Sequence, residues 1–189
     1  SMAEKVKWGI IGTGVIAPNH GSAIAESPYA ELVAVCDVDE AQAKAFADKF
    51  GGAAICTDYI EMLDSGKVDA EVITAPHFEH PRLAGEALER GVHVLLEKPA
   101  GIYGKQVTRL LDVAAAHPET TLAMMFNQRA NPLFADLKAL IDSGEFGALR
   151  RTSWQLTHWW RPDAYYTSSA WRASWGGEGG GVLVNQAPH

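Results

Sequence analysis

The chain has 189 residues, of which 47% are hydrophobic and 21% are charged, and its formal net charge is −7. This composition is typical of a folded globular protein and excludes a disordered chain. An acidic chain lacks the clustered positive charge of a nucleic-acid surface, and no apolar run reaches the ~20 residues of a membrane span. We therefore expect neither a nucleic-acid partner nor a place in the membrane.

The first 120 residues alternate short apolar runs with segments of helical period. Strands are predicted at 6–11, 31–36, 54–56, 70–74 and 92–96, and helices at 40–50, 80–90 and 103–116. Near-continuous apolar strands are typical of a parallel sheet that is buried on both faces. The alternation predicts an α/β fold with a doubly wound parallel sheet over residues 3–120.

After residue 120 the pattern changes. A further strand is predicted at 121–126, followed by a helix with Asn131 as its N-cap and Pro132 at its first position. A long β-type run over 149–160 comes next, and then an irregular stretch with five glycines between Gly176 and Gly181. We predict that residues 121–189 form the first part of a second domain.

The first strand leads into a glycine-rich turn, Gly12-Thr13-Gly14-Val15-Ile16-Ala17, which opens a helix. The first glycine allows the tight turn, the second lets a pyrophosphate approach the backbone, and the small Ala17 allows close packing of helix and strand. Asp37 ends the second strand, where a carboxylate binds ribose hydroxyls and repels a 2′-phosphate. The pattern predicts NAD as cofactor, with NADP disfavoured; the alternative is a plain glycine turn with Asp37 as a loop cap.

Two further motifs carry polar groups. Glu97-Lys98-Pro99 follows the fifth strand, at the sheet edge where ligands bind, and a desolvated lysine there can act as acid or base near neutral pH. The alternative is a solvated charge pair. Asn185 and His189 follow the glycines and share a helix face only if the helix persists, whereas Pro188 favours its end. The alternative for His189 is a plain loop residue.

Together these motifs resemble the glucose–fructose oxidoreductase, inositol dehydrogenase and rhizopine-catabolism oxidoreductase (Gfo/Idh/MocA) family. The matching segments keep the family's order over 9–14, 33–37, 57–59, 68–70, 74–76 with His80, 93–99 and 179–189. The resemblance implies a Rossmann domain followed by an α/β domain with an open, mostly antiparallel sheet, which begins with the strands at 121–126 and 149–160. It implies hydride transfer between NAD and a carbinol carbon of a sugar or cyclitol.

The resemblance also implies residue roles. The family's catalytic lysine and histidine fall on Lys98 and His189, and its frequent Asp falls on Asn185, which can hydrogen-bond but cannot serve as a base. The implied cofactor residues are Gly12, Gly14, Val15, Ile16, Asp37, Thr74, Pro76, His80, Glu97 and Lys98. The implied substrate residues are Lys98, Arg129, Tyr166, Trp171, Arg172, Asn185 and His189.

Some of these positions keep alternatives. The pair His77 and His80 has no third ligand at a telling spacing, so we predict no metal site. Arg129 faces either the substrate or solvent. Five of the six tryptophans lie between residues 154 and 175. Those of the strand suit either sheet packing and subunit contacts or stacking on a sugar, whereas Tyr166 and Trp171 suit a sugar pocket.

The remaining expectations concern the whole protein. Only Cys36 and Cys56 are present, which favours buried thiols and a reducing, cytoplasmic setting. The resemblance implies a homo-oligomer, a dimer or tetramer, through the C-terminal sheet. It also implies a chain roughly twice as long, so we expect a truncated form that binds NAD but is inactive. The rival functions are a non-catalytic NAD-binding sensor and an NAD-dependent glycosidase that oxidises its substrate transiently.

Overall fold

A computed structural model describes residues 4–153, 155, 157 and 160–189. Its centre is a six-stranded sheet in the order β3-β2-β1-β4-β5-β6, and every neighbouring pair is parallel. The strands are β1 Val6–Ile11, β2 Ala30–Cys36, β3 Ala54–Cys56, β4 Ala70–Ile73, β5 His93–Glu97 and β6 Leu122–Met125. This order, with its reversal between β1 and β4, confirms the predicted doubly wound Rossmann fold.

Helices connect the strands and follow the sheet. They are α1 Ala17–Glu26, α2 Glu40–Lys49, α3 Tyr59–Asp64, α4 His80–Leu88, α5 Gly104–Ala116, α6 Pro132–Asp142, α7 Asp163–Tyr166, α8 Trp175–Glu178 and α9 Val182–Asn185. Side-chain caps begin several of them: Asp39 accepts from two backbone N–H groups of α2, and Asn131 accepts from the backbone N–H of Leu133. The predicted cap at Asn131 is therefore confirmed.

Both faces of the sheet are buried. On one face Ile10, Val35 and Val72 pack with residues of α1 and α2. On the other, Ile73 and Leu96 pack with residues of α3, α4 and α5. This two-sided burial is the reason why the strands read as continuous apolar runs.

The strand β6 corrects one prediction. We assigned the run 121–126 to the sheet of a second domain, but β6 pairs in parallel with β5, with Val94 opposite Leu122 and Glu97 opposite Met125. The physical reason is the crossover through α5, which returns the chain beside β5, where Leu122 and Met124 pack against the core. The apolar pattern of a strand does not say which sheet it joins.

The second sheet stays a prediction. In the run 149–160, the residues that the structure describes are not in a strand, and Trp154 and Trp159 lie outside the described residues. The large apolar side chains of α6 keep considerable exposure, from 37% at Leu140 to 70% at Leu133. Within the described ranges, no helix is both long and apolar enough to cross a bilayer.

Candidate active site

The glycine turn after β1 has one packed side and one open side. Gly12 has a φ of +85°, and a Cβ there would lie 2.9 Å from the backbone nitrogen of Ala75. The hydroxyl of Thr74 donates to the carbonyl oxygen of Gly12, which ties this turn to the end of β4. The open side is at Gly14, where a Cβ would meet nothing within 4 Å.

The start of α1 completes this cradle. No side chain caps its first residues at Ile16, and the Val15 side chain is 91% exposed. The positive end of a helix dipole favours a phosphate, and the open space at Gly14 lets the phosphate come close to the backbone. The residues present therefore fit the pyrophosphate of a dinucleotide.

Asp37 lies at the carboxyl end of β2, as predicted. One carboxylate oxygen accepts hydrogen bonds from the backbone nitrogen and the hydroxyl of Thr13, each at 2.7 Å. The other oxygen accepts from the backbone nitrogen of Asp39 at 3.0 Å. These bonds hold a negative charge beside the glycine turn, where it disfavours a 2′-phosphate and suits ribose hydroxyls.

His80 connects the loop after β4 to the loop after β5. Pro76 precedes a 3-10 turn at His77–Glu79, and His80 follows it with 1% of its surface exposed. The ring nitrogens of His80 lie 2.6 Å from the carbonyl oxygen of Pro99 and 2.8 Å from that of Ala75. Burial lowers the pKa of His80. The side chain thus connects the loops after β4 and β5, the two loops that carry the predicted site.

Glu97 forms a buried ion pair that the sequence did not reveal. One of its oxygens lies 2.9 Å from Nε2 of His20 on α1, and the other accepts from the backbone nitrogen of Lys98. Burial raises the pKa of Glu97, but the hydrogen bond and charge of His20 outweigh it, so the pKa is lowered overall. The only sequence signal for His20 is its place on the apolar face of α1 beside Ala17 and Ile24.

Lys98 lies at the centre of the candidate site. Its Nζ donates to the backbone oxygen of Asn185 at 2.8 Å and to the side-chain oxygen of Asn185 at 2.7 Å. Burial lowers the pKa of Lys98, and the charges of Arg161 and Arg172 lower it further, against the effects of Glu97 and Glu178. The structure therefore brings together the two predicted residues Lys98 and Asn185, which are 87 positions apart in the chain.

The glycine stretch brings the C-terminal residues to this place. Gly179 has a φ of +76°, and a Cβ there would lie 2.4 Å from the Cβ of Ile102 in the loop after β5. The helix α9 ends at Asn185, before Pro188, so Asn185 and His189 do not share a helix face. Burial, chiefly, and the charge of Lys98 lower the pKa of His189, against the opposite effect of Glu97.

The predicted aromatic and basic residues divide between two places. Trp171 lies 4.8 Å from the ring of His77, and Arg172 lies near Glu178 and donates to the Tyr165 hydroxyl at 2.6 Å. Tyr166 lies edge-on against the Tyr165 ring at 5.2 Å. Together with Lys98 and Asn185, these side chains form one cluster.

Arg129 lies away from this cluster. It lies on an exposed 3-10 turn after β6, 5.4 Å from the Phe126 ring, and its described contacts do not reach the cluster around Lys98. Its role in substrate binding stays a prediction.

Sequence reasoning missed Glu178 as a member of the site. Its carboxylate is buried and accepts from the backbone nitrogen of Ala173 at 2.9 Å and from the amide of Asn185 at 3.3 Å. A lone acidic residue inside the glycine run was the available signal. In the part of the chain that the structure describes, no group of three or more His, Cys, Asp or Glu side chains is placed to hold a metal ion.

Two protein-family models together match most of the chain. The family described as "Oxidoreductase family, NAD-binding Rossmann fold" matches residues 6–126, and the family "GFO/IDH/MocA C-terminal domain" matches residues 134–189. Inositol 2-dehydrogenase 1 of Saccharopolyspora erythraea is 28% identical, with 87% of this chain and 51% of that protein covered. Glucose-6-phosphate 3-dehydrogenase of Bacillus subtilis is 33% identical, with 84% of this chain and 47% of that protein covered. The chain thus spans about half the length of the curated relatives that it matches.

Solved structures of two dehydrogenases are also similar to this chain. The WlbA dehydrogenase from Bordetella pertussis, in complex with NADH and UDP-GlcNAcA, has a TM-score of 0.86 and 30% identity and covers 99% of this chain and 53% of its own. The scyllo-inositol dehydrogenase from Lactobacillus casei, with bound NAD(H) and scyllo-inositol, has a TM-score of 0.73 and 28% identity over 76% of this chain and 43% of its own. The chain therefore belongs to the Gfo/Idh/MocA oxidoreductase family, whose NAD-binding Rossmann fold it carries.

Proposed function

We propose that the protein is an NAD-dependent oxidoreductase that transfers a hydride between nicotinamide and a carbinol carbon of a sugar or cyclitol. The observation that carries the proposal is Lys98, a half-buried lysine with a lowered pKa at the carboxyl edge of a dinucleotide-binding sheet. The inositol and sugar dehydrogenases among the relatives support the same substrate class.

The residues of this chain suit proton handling at that carbon. When bound, NAD accepts or supplies the hydride. Lys98 has three N–H donors and uses two on Asn185, which leaves one for the substrate oxygen. Because burial lowers its pKa, Lys98 can exchange a proton with that oxygen closer to neutral pH than an exposed lysine can. His189, whose pKa burial also lowers, is the second proton carrier that we propose.

The side chains around Lys98 suit a ring with hydroxyl groups. Trp171 and Tyr166 offer aromatic surface of the kind that packs on the apolar faces of sugars and cyclitols. Arg172 offers hydrogen-bond donors beside them. We therefore assign the substrate to the space between these side chains and the end of β5.

The test is turnover by the full-length gene product with NAD and a panel of myo-inositol, scyllo-inositol and glucose 6-phosphate. Lys98→Met is expected to lower kcat/KM roughly 10²- to 10⁴-fold, because it removes the proton donor. It is expected to leave the affinity for NAD near that of wild type. Lys105→Met on α5 is the matched control, since Lys105 is exposed.

An unchanged kcat/KM in Lys98→Met contradicts the mechanism. NAD binding without turnover of any substrate favours the sensor function instead. Cleavage of aryl glycosides without release of NADH favours the glycosidase.

We also propose a reducing, cytoplasmic setting. Cys36 and Cys56 are free, although they lie opposite each other on the neighbouring strands β2 and β3. A second domain after β6, and the homo-oligomer, a dimer or tetramer through the C-terminal sheet, stay predictions.

A further inference from the structure

The amide of Asn185 lies between groups of opposite character. Its oxygen accepts from Nζ of Lys98 at 2.7 Å. Its nitrogen donates to the Glu178 carboxylate at 3.3 Å and to the Tyr165 hydroxyl at 3.2 Å. The two ends of an asparagine amide have nearly the same shape, so hydrogen-bond partners alone decide which end faces the lysine.

Lys98, which only donates, selects the amide oxygen, and of the two groups beside the amide nitrogen Glu178 is the one that discriminates between the two ends. An ionised carboxylate only accepts hydrogen bonds, whereas a tyrosine hydroxyl can both donate and accept. Glu178 is 6% exposed, and its second oxygen already accepts from the backbone nitrogen of Ala173. The oxygen that faces Asn185 lies 3.6 Å from a guanidinium nitrogen of Arg172, which is beyond hydrogen-bond distance, so the amide nitrogen of Asn185 supplies its hydrogen bond.

We propose that Glu178 is a positioning residue, which orients the amide of Asn185 so that the amide oxygen meets the ammonium group of Lys98. A reversed amide would direct its NH2 group against this ammonium and an oxygen against the Glu178 carboxylate, and both contacts would be repulsive. A consequence for catalysis rests on the proposed function, whereas the orientation of the Asn185 amide does not.

The same contact explains why residue 185 is Asn and not Asp. An aspartate would bring a second carboxylate oxygen to about the 3.3 Å that now separates the Asn185 nitrogen from Glu178. Two carboxylates at that distance in a buried place cannot both stay ionised at low cost. The identity of residue 185 is thus coupled to that of residue 178.

The coupling predicts that Glu178→Gln destabilises the wild-type protein but stabilises the Asn185→Asp protein. Glu178→Gln has one acceptor oxygen for two donors, and the shorter bond to Ala173 takes it, so the new NH2 group faces the NH2 group of Asn185 and displaces the Asn185 amide from its place against Lys98. Asn185→Asp alone places two carboxylates together. In the double variant Glu178→Gln/Asn185→Asp, the glutamine NH2 donates to one aspartate oxygen, and the other accepts from Lys98.

The experiment measures the hydrogen exchange of the Lys98 ammonium protons by 15N NMR, with Lys98→Met to assign the signal. Glu178→Gln is expected to speed exchange roughly tenfold or more, because a hydrogen bond to a charged group is lost. Adding Asn185→Asp is expected to restore the exchange rate to within about twofold of wild type. Glu89→Gln, an exposed position at the end of α4, is the charge-matched control.

Thermal unfolding of the same proteins gives a second readout. Glu178→Gln is expected to lower the melting temperature in the wild-type background and to raise it in the Asn185→Asp background. Additive effects overturn the proposal, as does an exchange rate that Glu178→Gln leaves unchanged or a double variant that fails to fold. Neither readout needs turnover, so failure of the proposed function, seen with Lys98→Met, is distinguished from failure of this inference.

Discussion

Glu71 is a buried carboxyl group in the middle of the sheet. It lies on β4, opposite Gly9 on β1 and Val94 on β5, and 0% of its surface is exposed. Among the described residues, neither of its carboxylate oxygens has a hydrogen-bond partner. It shares the face of Gly9, where a Cβ would contact Met62 and Val68 side chains, so its surroundings are apolar. Burial raises the pKa of Glu71 to about 8.

This pKa makes the stability of the chain depend on pH in a defined direction. The folded state keeps Glu71 protonated up to about pH 8, whereas the unfolded state ionises near its ordinary pKa of 4.5. The contribution of Glu71 to stability is therefore fully present below pH 4.5 and is lost as the pH rises to about 8. With about 1.36 kcal/mol for each unit of pKa difference, the loss between about pH 5 and pH 7 is about 2.5 kcal/mol.

The assay is urea unfolding of the wild type and of Glu71→Gln at both pH values. Glutamine keeps the shape but does not ionise, so the difference in free energy of unfolding between the two proteins isolates Glu71. We expect this difference to change by about 2.5 kcal/mol in favour of Glu71→Gln as the pH rises from about 5 to about 7. Cys36 does not interfere, because burial and the neighbouring Cys56 raise its pKa to about 12.

Glu31→Gln is the matched control, since Glu31 lies on β2 with its side chain exposed. Its difference from wild type should not vary with pH. A constant difference for Glu71→Gln would show that Glu71 is ionised or solvated in the folded state, and the reasoning from burial would be wrong.

Three further predictions concern the cofactor turn and the buried pair of His20 and Glu97. Gly12→Ala should cost on the order of 1–3 kcal/mol of stability, because its Cβ would lie 2.9 Å from Ala75 in a left-handed conformation. The added methyl group of Gly14→Ala meets open space, so the melting temperature should stay unchanged. The same methyl group should weaken NAD binding, measured by calorimetry, about tenfold or more, because it occupies the place of the pyrophosphate. An affinity equal to that of wild type would refute the assigned pyrophosphate position. His20→Ala should lower the free energy of unfolding at about pH 7 by about 3 kcal/mol, because Glu97 is left as an unpaired buried charge. Since the pKa of Glu97 is lowered in the fold, this loss should shrink as the pH falls below the unfolded pKa of 4.5; a loss independent of pH would contradict the ion pair.

Sequence patterns were sufficient wherever the physical cause is local. Apolar runs and helical periods predicted the strands β1 to β5 along the chain and their parallel sheet, because two-sided burial leaves a continuous apolar signature. The turn at Gly12 and the cap at Asn131 were predictable as well, since each depends on residues within a few positions along the chain.

Patterns failed where the cause lies across the fold. The strand β6 carries the same apolar signature in either sheet, and only the crossover through α5 decides that it joins β5. The helix α3 was not predicted, because its six residues are too few to show a helical period.

By itself the sequence determined the Rossmann architecture, the dinucleotide turn and the residue types of the site, since each follows from neighbours along the chain. Tertiary structure decided which polar groups meet. His20 pairs with Glu97 across 77 positions, and Lys98 meets Asn185 across 87. Glu178 then sets the orientation that we infer for Asn185. Such partners depend on how the loops at one edge of the sheet approach each other, and no spacing along the chain encodes which of their side chains meet.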